Sequence, residues 1–368
     1  MHKFFTSSFD ASIYLQQPEQ NAGRDEILEV GKLYYGSNEV ASAMDIARTL
    51  IKFNTTQVSQ SIVENIGTGS YSVFLNLKSA NSEEIPLEYT LYANAVSGSW
   101  KMGTGTKFDN ITSDGVSWYY LNGSSKWQDI SGSYPAQTDT SSILNGGGGL
   151  WYSASMASQS FSNEPDDIRM DVTNIVKLWI SGSNRLTNDG IILHHHTSAS
   201  LYTDTTDYGV LKFFSKETNT IYEPKLELVW NDQSFVTTGL SPVTGSASDS
   251  DYKVIISNLK KEYPQNQKVK VRVKGRDMFP LKSFGTTFAY DQTKYLPITT
   301  YYQLEDYKTG EIVFPFGQYT KVSCDSISNY FIMDLNTLPI NRTYLLKLEI
   351  VEGGISTIID EKLIFEIV

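Results

Sequence analysis

Short runs in which apolar and polar residues alternate, each closed by turn residues, recur along almost the whole chain. In "SYSVFLNLKS" (70–79) and "LEYTLYANAV" (87–96) the period is two, so one face of each run is apolar, the pattern of a half-buried strand. The same reading applies to "DASIYLQ" (10–16), "ARTLIKFN" (47–54), "GIILHHHT" (190–197), "YGVLKFFS" (208–215) and "PKLELVW" (224–230). One segment departs from it. In "DDIRMDVTNIVKLWISGSNRLTNDG" (166–190), Ile175, Leu178 and Trp179 share a helical face, Thr173 suits the N-cap and Gly182 can end the helix. A single short helix covering an edge or end of a sheet is expected there.

Between about Gly98 and Ser162 the chain reads as loop-rich, with four of the six tryptophans and the glycine run 146–149. From Asn231 to Asp251 it is rich in Ser, Thr, Gly and Asp without periodicity, as a linker would be. Beyond lie "YKVIISNL", "KVKVRVKGRDMF", "ITTYYQLEDYKTGEIVFPF", "YTKVSCDSISNYFIMDLNTL", "TYLLKLEIVEG" and "STIIDEKLIFEIV". Six or seven strands in so short a stretch predict a small β-sandwich. The expectation is an all-β chain of two domains, 1–230 and 252–368, joined by a linker at 231–251.

Composition agrees and excludes several function classes. Only 19% of the 368 residues are charged and 12% are aromatic, a balance suited to strands and polar turns and unsuited to a helical bundle. The formal net charge is −11 and no Lys/Arg run is present, so nucleic acid is not an expected direct partner. Cys324 is the single cysteine, which rules out an intrachain disulfide and a zinc–thiolate site. No apolar run reaches 18 residues, so no membrane span is expected. The opening "MHKFFTSSFDASIYLQ" lacks a signal-peptide pattern, and the product is expected to be made in the cytoplasm.

Three of the four histidines stand together in "IILHHHTS" (191–198). On a strand only His194 and His196 share a face. They would bind a metal only with a third ligand from a neighbouring strand, which the sequence does not identify; a polar, partly exposed strand is the plainer reading. Asp204 and Asp207 in "YTDTTDYG" (202–209) are candidate calcium ligands, against a solvated turn without EF-hand spacing. "GTGTKF" (103–108) lacks the third glycine of a dinucleotide loop, and P-loop, G-x-S-x-G and H-E-x-x-H motifs are absent. Glu83-Glu84 and Asp166-Asp167 are adjacent, which turns their side chains apart and makes them poor paired glycosidase acids. No catalytic residue and no cofactor is therefore assigned.

Trp100, Trp118, Trp127 and Trp151 have two readings, an exposed interface or glycan platform or a satellite core beneath the loops. Arg48, set in an apolar strand, needs a partner if buried, and Asp171 or Glu217 would supply the carboxylate. Asp171 and Thr173 read as helix-start chemistry, and Trp179 and Trp230 as core.

The first 230 residues resemble the DNRLRE-domain β-sandwiches, relatives of carbohydrate-binding modules. The features that carry the resemblance are the opening "DASIYLQQPEQNAGRDEILEVG", the strand "ARTLIKFN" with Arg48 and Phe53 in place, and the loop "SWKMGTGT" (99–106). The helix-and-strand "MDVTNIVKLWISGSNRLTNDGIIL" and the closing "KFFSKETNTIYEPKLELVW" complete it, in the same order and spacing. The resemblance implies a jelly-roll-like sandwich serving in adhesion or assembly and transfers no enzyme activity. The C-terminal region resembles, more loosely, the immunoglobulin-like domains of tailed-phage structural proteins. A surface-type sandwich without a signal-peptide pattern, a two-sandwich layout and no catalytic motif together lead to the expectation of a non-enzymatic structural protein of a virus particle, in the neck, tail, baseplate or head decoration of a tailed bacteriophage. Its partners would be other virion proteins, copies of itself and surface glycans. The alternative is a carbohydrate-binding adhesin module for host attachment; a polysaccharide-degrading enzyme would need two carboxylates converging in a cleft.

Overall fold

The computed structural model describes residues 1–35, 44–127, 147–162, 167–182, 185–195, 205–280 and 292–368. The chain is all-β in class and divides into two compact units. The first comprises Phe5–Thr68 and Ser72–Leu228; the second comprises Met1–Phe4, Gly69–Tyr71 and Val229–Val368.

Ten strands form the first sheet system: β1 (His2–Tyr14), β2 (Ile27–Tyr34), β3 (Met44–Phe53), β4 (Tyr71–Leu77) and β5 (Glu88–Ala95), then β6 (Ala157–Ser162), β7 (Ile168–Asp171), β8 (Ile191–His194), β9 (Gly209–Phe214) and β10 (Lys225–Trp230). Their order is β6-β5-β8-β3-β1-β10-β4-β7, with β2 joining β3 to β9. The sheet forks at β3. One edge of β3 pairs with β1; the other is shared, residues 44–47 by β2 and residues 49–51 by β8. Alternation directs the faces as the sequence predicts: Val73, Leu75 and Leu77 of β4 are buried, while Phe74 and Asn76 between them are half-buried.

Two helices are described where one was expected. The additional one is α1 (Thr55–Asn65), capped by the Asn54 side chain, which accepts from the Thr56 amide at 3.1 Å, and burying only Val58, Ser61 and Ile62. Gly67, at φ +62°, follows its end. The expected helix is α2 (Thr173–Ile180), with Ile175, Val176 and Trp179 buried and Leu178 half-buried. Thr173 is its first residue and not its N-cap, which is Val172. The Thr173 hydroxyl accepts from the Val73 amide at 2.8 Å, and Asp171 accepts from the Thr173 amide at 2.9 Å. That leaves Asp171 to satisfy one of the helix's orphan N–H groups.

The second unit is a β-sandwich of two sheets. One orders the strands 241–242, 294–295, 268–277, 329–334 and 323–324, with 252–256 also on 268–277; the other orders 262–263, 355–367, 342–352, 300–306 and 312–314. Val271, Val273, Phe331 and Met333 from one meet Tyr302, Leu304, Leu346, Leu348 and Phe365 from the other, with the Tyr302 and Phe331 rings stacked at 4.2 Å. The stretch 231–251, read in the sequence as a linker, is laid onto this unit. Phe235 bridges Cys324, Ser241–Pro242 pairs in parallel with Lys294–Tyr295, and Val243 packs on the core. Hydrogen bonds to the main chain, and not side-chain periodicity, hold it there.

Candidate functional site

The structure turns most of the predicted site residues inward. Trp100, Trp118, Trp127 and Trp151 are at most 5% exposed and belong to one cluster with Ala11, Ile13, Leu50, Val116 and Ile192. A ring so enclosed offers no face to a sugar or a partner chain, so the platform reading does not apply to them. His194 is buried as well, stacked on Trp151 at 4.4 Å with its Nε2 2.9 Å from Asn94 Oδ1. This corrects the expectation of a partly exposed strand: β8 is buried throughout. His196 and Asp204 lie outside the described residues, as does Asp166. Asp207 is exposed, and its carboxylate accepts from the Tyr34 amide. Among the described residues no group of three or more His, Cys, Asp or Glu is arranged to hold a metal ion. Trp179, as expected, is core.

Arg48 is 1% exposed, but its charge is met otherwise than by Asp171 or Glu217, both of which are exposed. It lies at the fork of β3, between the residues paired to β2 and those paired to β8. The guanidinium lies 5.2 Å from the Trp118 ring centre and 5.0 Å from that of Trp151, and donates to the Gly148 carbonyl. Both aromatic faces and the main-chain carbonyl favour a buried guanidinium here.

An open cleft of about 240 Å³ lies over a different face of the first unit. Period two builds its floor. Glu29, Gly31 and Leu33 of β2 point the same way, and the registers Leu33↔Asp45, Gly31↔Ala47, Gly31↔Val210 and Glu29↔Lys212 set their neighbours beside them. Tyr14 of β1 stands opposite Ala47. A Cβ on Gly31 would meet the Gly209 carbonyl oxygen at 2.6 Å, so close strand approach requires glycine there. Lys107 and Phe108 come from the loop after Gly105, Glu83 from a turn bridged to Val210, and Tyr35 from the end of β2. Phe108 is 86% and Tyr35 64% exposed. The cleft thus has exposed aromatic rings over a floor in which charged and small apolar residues are mixed.

Charge within it is mostly paired. Lys107 is ion-paired with Glu29 and sits 4.4 Å from the centre of the Tyr14 ring, while its amide is held by Asp25. Lys212 pairs with Glu83 at 2.6 Å. Asp45 stands apart: its Oδ1 is buried with no hydrogen-bond partner among the described residues. Burial pushes the Asp45 carboxyl above the ordinary carboxylate value; Lys107 opposes this and Glu29 reinforces it. Burial likewise raises Asp25, the Lys107 amide opposing. The Tyr14 hydroxyl is held well above the usual phenol value, by burial first and then by the Glu29 and Asp25 charges.

The second unit carries a feature of another kind. The strand 355–367 pairs along one edge with 342–352, but along the other, among the described residues, ladder pairing is confined to Glu366 and Ile367. Ile355, Ile358 and Ile364 on it are exposed. A register shift brings Asp360, Glu361 and Lys362 out as a charged bulge, with Lys362 at φ +55°. Bulges and charges guard an edge from uncontrolled pairing, which leaves Ile355–Ile359 as the unguarded segment.

Sequence reasoning missed the cleft because its residues come from six separated places. The available signal was the acidic residues Glu29 and Asp45 inside strands whose register the sequence does not state. Among the described residues no helix is long and apolar enough to cross a membrane. Comparison with known proteins finds no matching family model, curated protein or solved structure.

Proposed function

We propose that this chain is a non-enzymatic structural protein of a virus particle, a neck, tail, baseplate or head-decoration component of a tailed bacteriophage. The observation that supports this reading is the open edge at Ile355–Ile359, whose outer main-chain groups have no ladder partner among the described residues, set beside a charged bulge that limits where pairing occurs. Such an edge is a template for a neighbouring chain. The likeness of the first 230 residues to adhesion and assembly sandwiches points the same way, by analogy of fold. The partners are other virion proteins and copies of this chain. The test is Ile358→Lys in the phage genome. The variant chain is expected to fold as well as the parent, the site being exposed, and to be lost from purified particles. Full incorporation of a folded Ile358→Lys chain would overturn the role given to this edge.

The aromatic-rimmed cleft favours a second reading, a carbohydrate-binding module for attachment to a host surface. The two are compatible in one particle component. Binding of any oligosaccharide by the purified full chain, followed by calorimetry, tests the second.

A further inference from the structure

We propose that the cleft between Tyr35 and Phe108 holds one sugar ring free of negative charge, seated on the sheet face with its hydroxyl or amine hydrogens directed at Asp45. The inference rests on the carbohydrate-binding reading and names the ligand class of that site.

Three observations carry it. The first is shape. About 240 Å³ is below the roughly 300–1,000 Å³ of clefts that enclose drug-sized ligands, so the space suits one ring of an extended chain. Its open side allows the remaining sugars to continue into solvent. The second is the rim. Phe108 and Tyr35 are exposed rings beside a floor of mixed charged and apolar residues, and sugars present C–H faces to rings and hydroxyls to polar groups. The third is charge. The lining has three carboxylates, Glu29, Asp45 and Glu83, against two ammonium groups, Lys107 and Lys212. Both ammonium groups are already held by Glu29 and Glu83, so the unspent charge is negative and lies at Asp45, a half-buried residue of the cleft lining. A uronate or sulfated sugar would meet repulsion there. A hydroxyl or ammonium would instead donate to that carboxylate.

Calorimetric titration of the full chain with three probes tests this: a neutral gluco-oligosaccharide, a glucosamine oligosaccharide and a galacturonate oligosaccharide. The first two are expected to bind and the third not. Phe108→Ala and Tyr35→Ala, both at exposed positions, are expected to weaken binding about tenfold each, equivalent to about 1.4 kcal/mol. Asp45→Asn is expected to admit the galacturonate probe. Preference for galacturonate by the parent chain would overturn the proposal. So would binding unchanged in both ring variants, which would place saccharide recognition elsewhere on the chain and leave the adhesin reading intact. Binding of none of the probes would overturn the adhesin reading together with the inference.

Discussion

Asn21 and Gly103 are packed so closely that a Cβ on Gly103, at φ +79°, would overlap the Asn21 side-chain amide. From within this contact Asn21 Nδ2 donates to the Met102 and Val116 carbonyls, each at 2.7 Å, and Oδ1 accepts from the Gly105 amide at 2.9 Å. One fully buried side chain therefore fixes both limbs of the loop that continues to Lys107 and Phe108.

Asn21→Ala leaves two carbonyls and two amides, those of Gly105 and Gly23, without that partner, at about 1–3 kcal/mol for an unsatisfied group. The expected loss is about 3 kcal/mol, read as a lower urea midpoint with unchanged slope. Gly103→Ala should act in the same direction, through both the overlap and the positive φ. A melting curve unchanged in both variants would contradict the clamp.

Arg48 makes a second prediction. Arg48→Ala is expected to destabilise by about 3–5 kcal/mol, through lost packing and the stranded Gly148 carbonyl. Arg48→Lys should also destabilise, by about 1–2 kcal/mol, because an ammonium cannot lie flat between two indoles. Chemical denaturation followed by tryptophan emission measures both; a Lys variant as stable as the parent would show that charge alone matters at the fork.

Asp10 gives the chain a pH dependence. It is 1% exposed, its Oδ1 lacks a hydrogen-bond partner among the described residues, and burial pushes its carboxyl up to about 6, against the Lys216 amide, the Ser7 hydroxyl and the Lys216 charge, with Glu217 reinforcing. Because the folded-state value exceeds the ordinary 3.8, the folded chain holds the proton more tightly than the unfolded chain. Stability from this group is therefore complete below about pH 4 and is lost as pH rises through about 6. Asp10→Asn should match the parent near pH 4, exceed it by about 1–3 kcal/mol at pH 8, and flatten the slope between. Denaturation midpoints across that range check the sign; a parent that gains stability from pH 4 to 6 relative to the variant would reverse it.

Burial of all six tryptophans, none above 5% exposed, predicts blue-shifted emission, poor quenching by iodide, and a large red shift in urea. Efficient quenching of the folded chain would contradict the placement of Trp100, Trp118, Trp127 and Trp151.

Strands were the most legible part of this sequence because alternation is a local property. The runs at 70–79, 87–96, 208–215 and 224–230 lie within a residue or two of β4, β5, β9 and β10. Helix α1 was not legible: Thr55, Thr56, Val58, Ile62 and Val63 are β-branched and so weak helix formers, and only three of its residues are buried. The fork at β3 was not legible either. Pairing β2 and β8 along one edge depends on registers set by residues some 150 positions apart, and the fork decides that Arg48 meets indoles. The tryptophan loop looked loose by composition. What orders it is the burial of its tryptophans in one apolar cluster together with the Asn21 amide and a series of carbonyls, and neither leaves a periodicity. The cleft escaped for the same reason, since Glu29, Asp45 and Lys107 become neighbours only through register and that clamp.

Quantitative peptide mass spectrometry of density-purified phage particles tests the central claim, that this chain is a built-in component of a virion. The account predicts the chain at a fixed ratio to the major capsid protein across preparations, with a copy number that matches a ring, fibre or shell position. Its absence from particles that are otherwise complete would contradict the account.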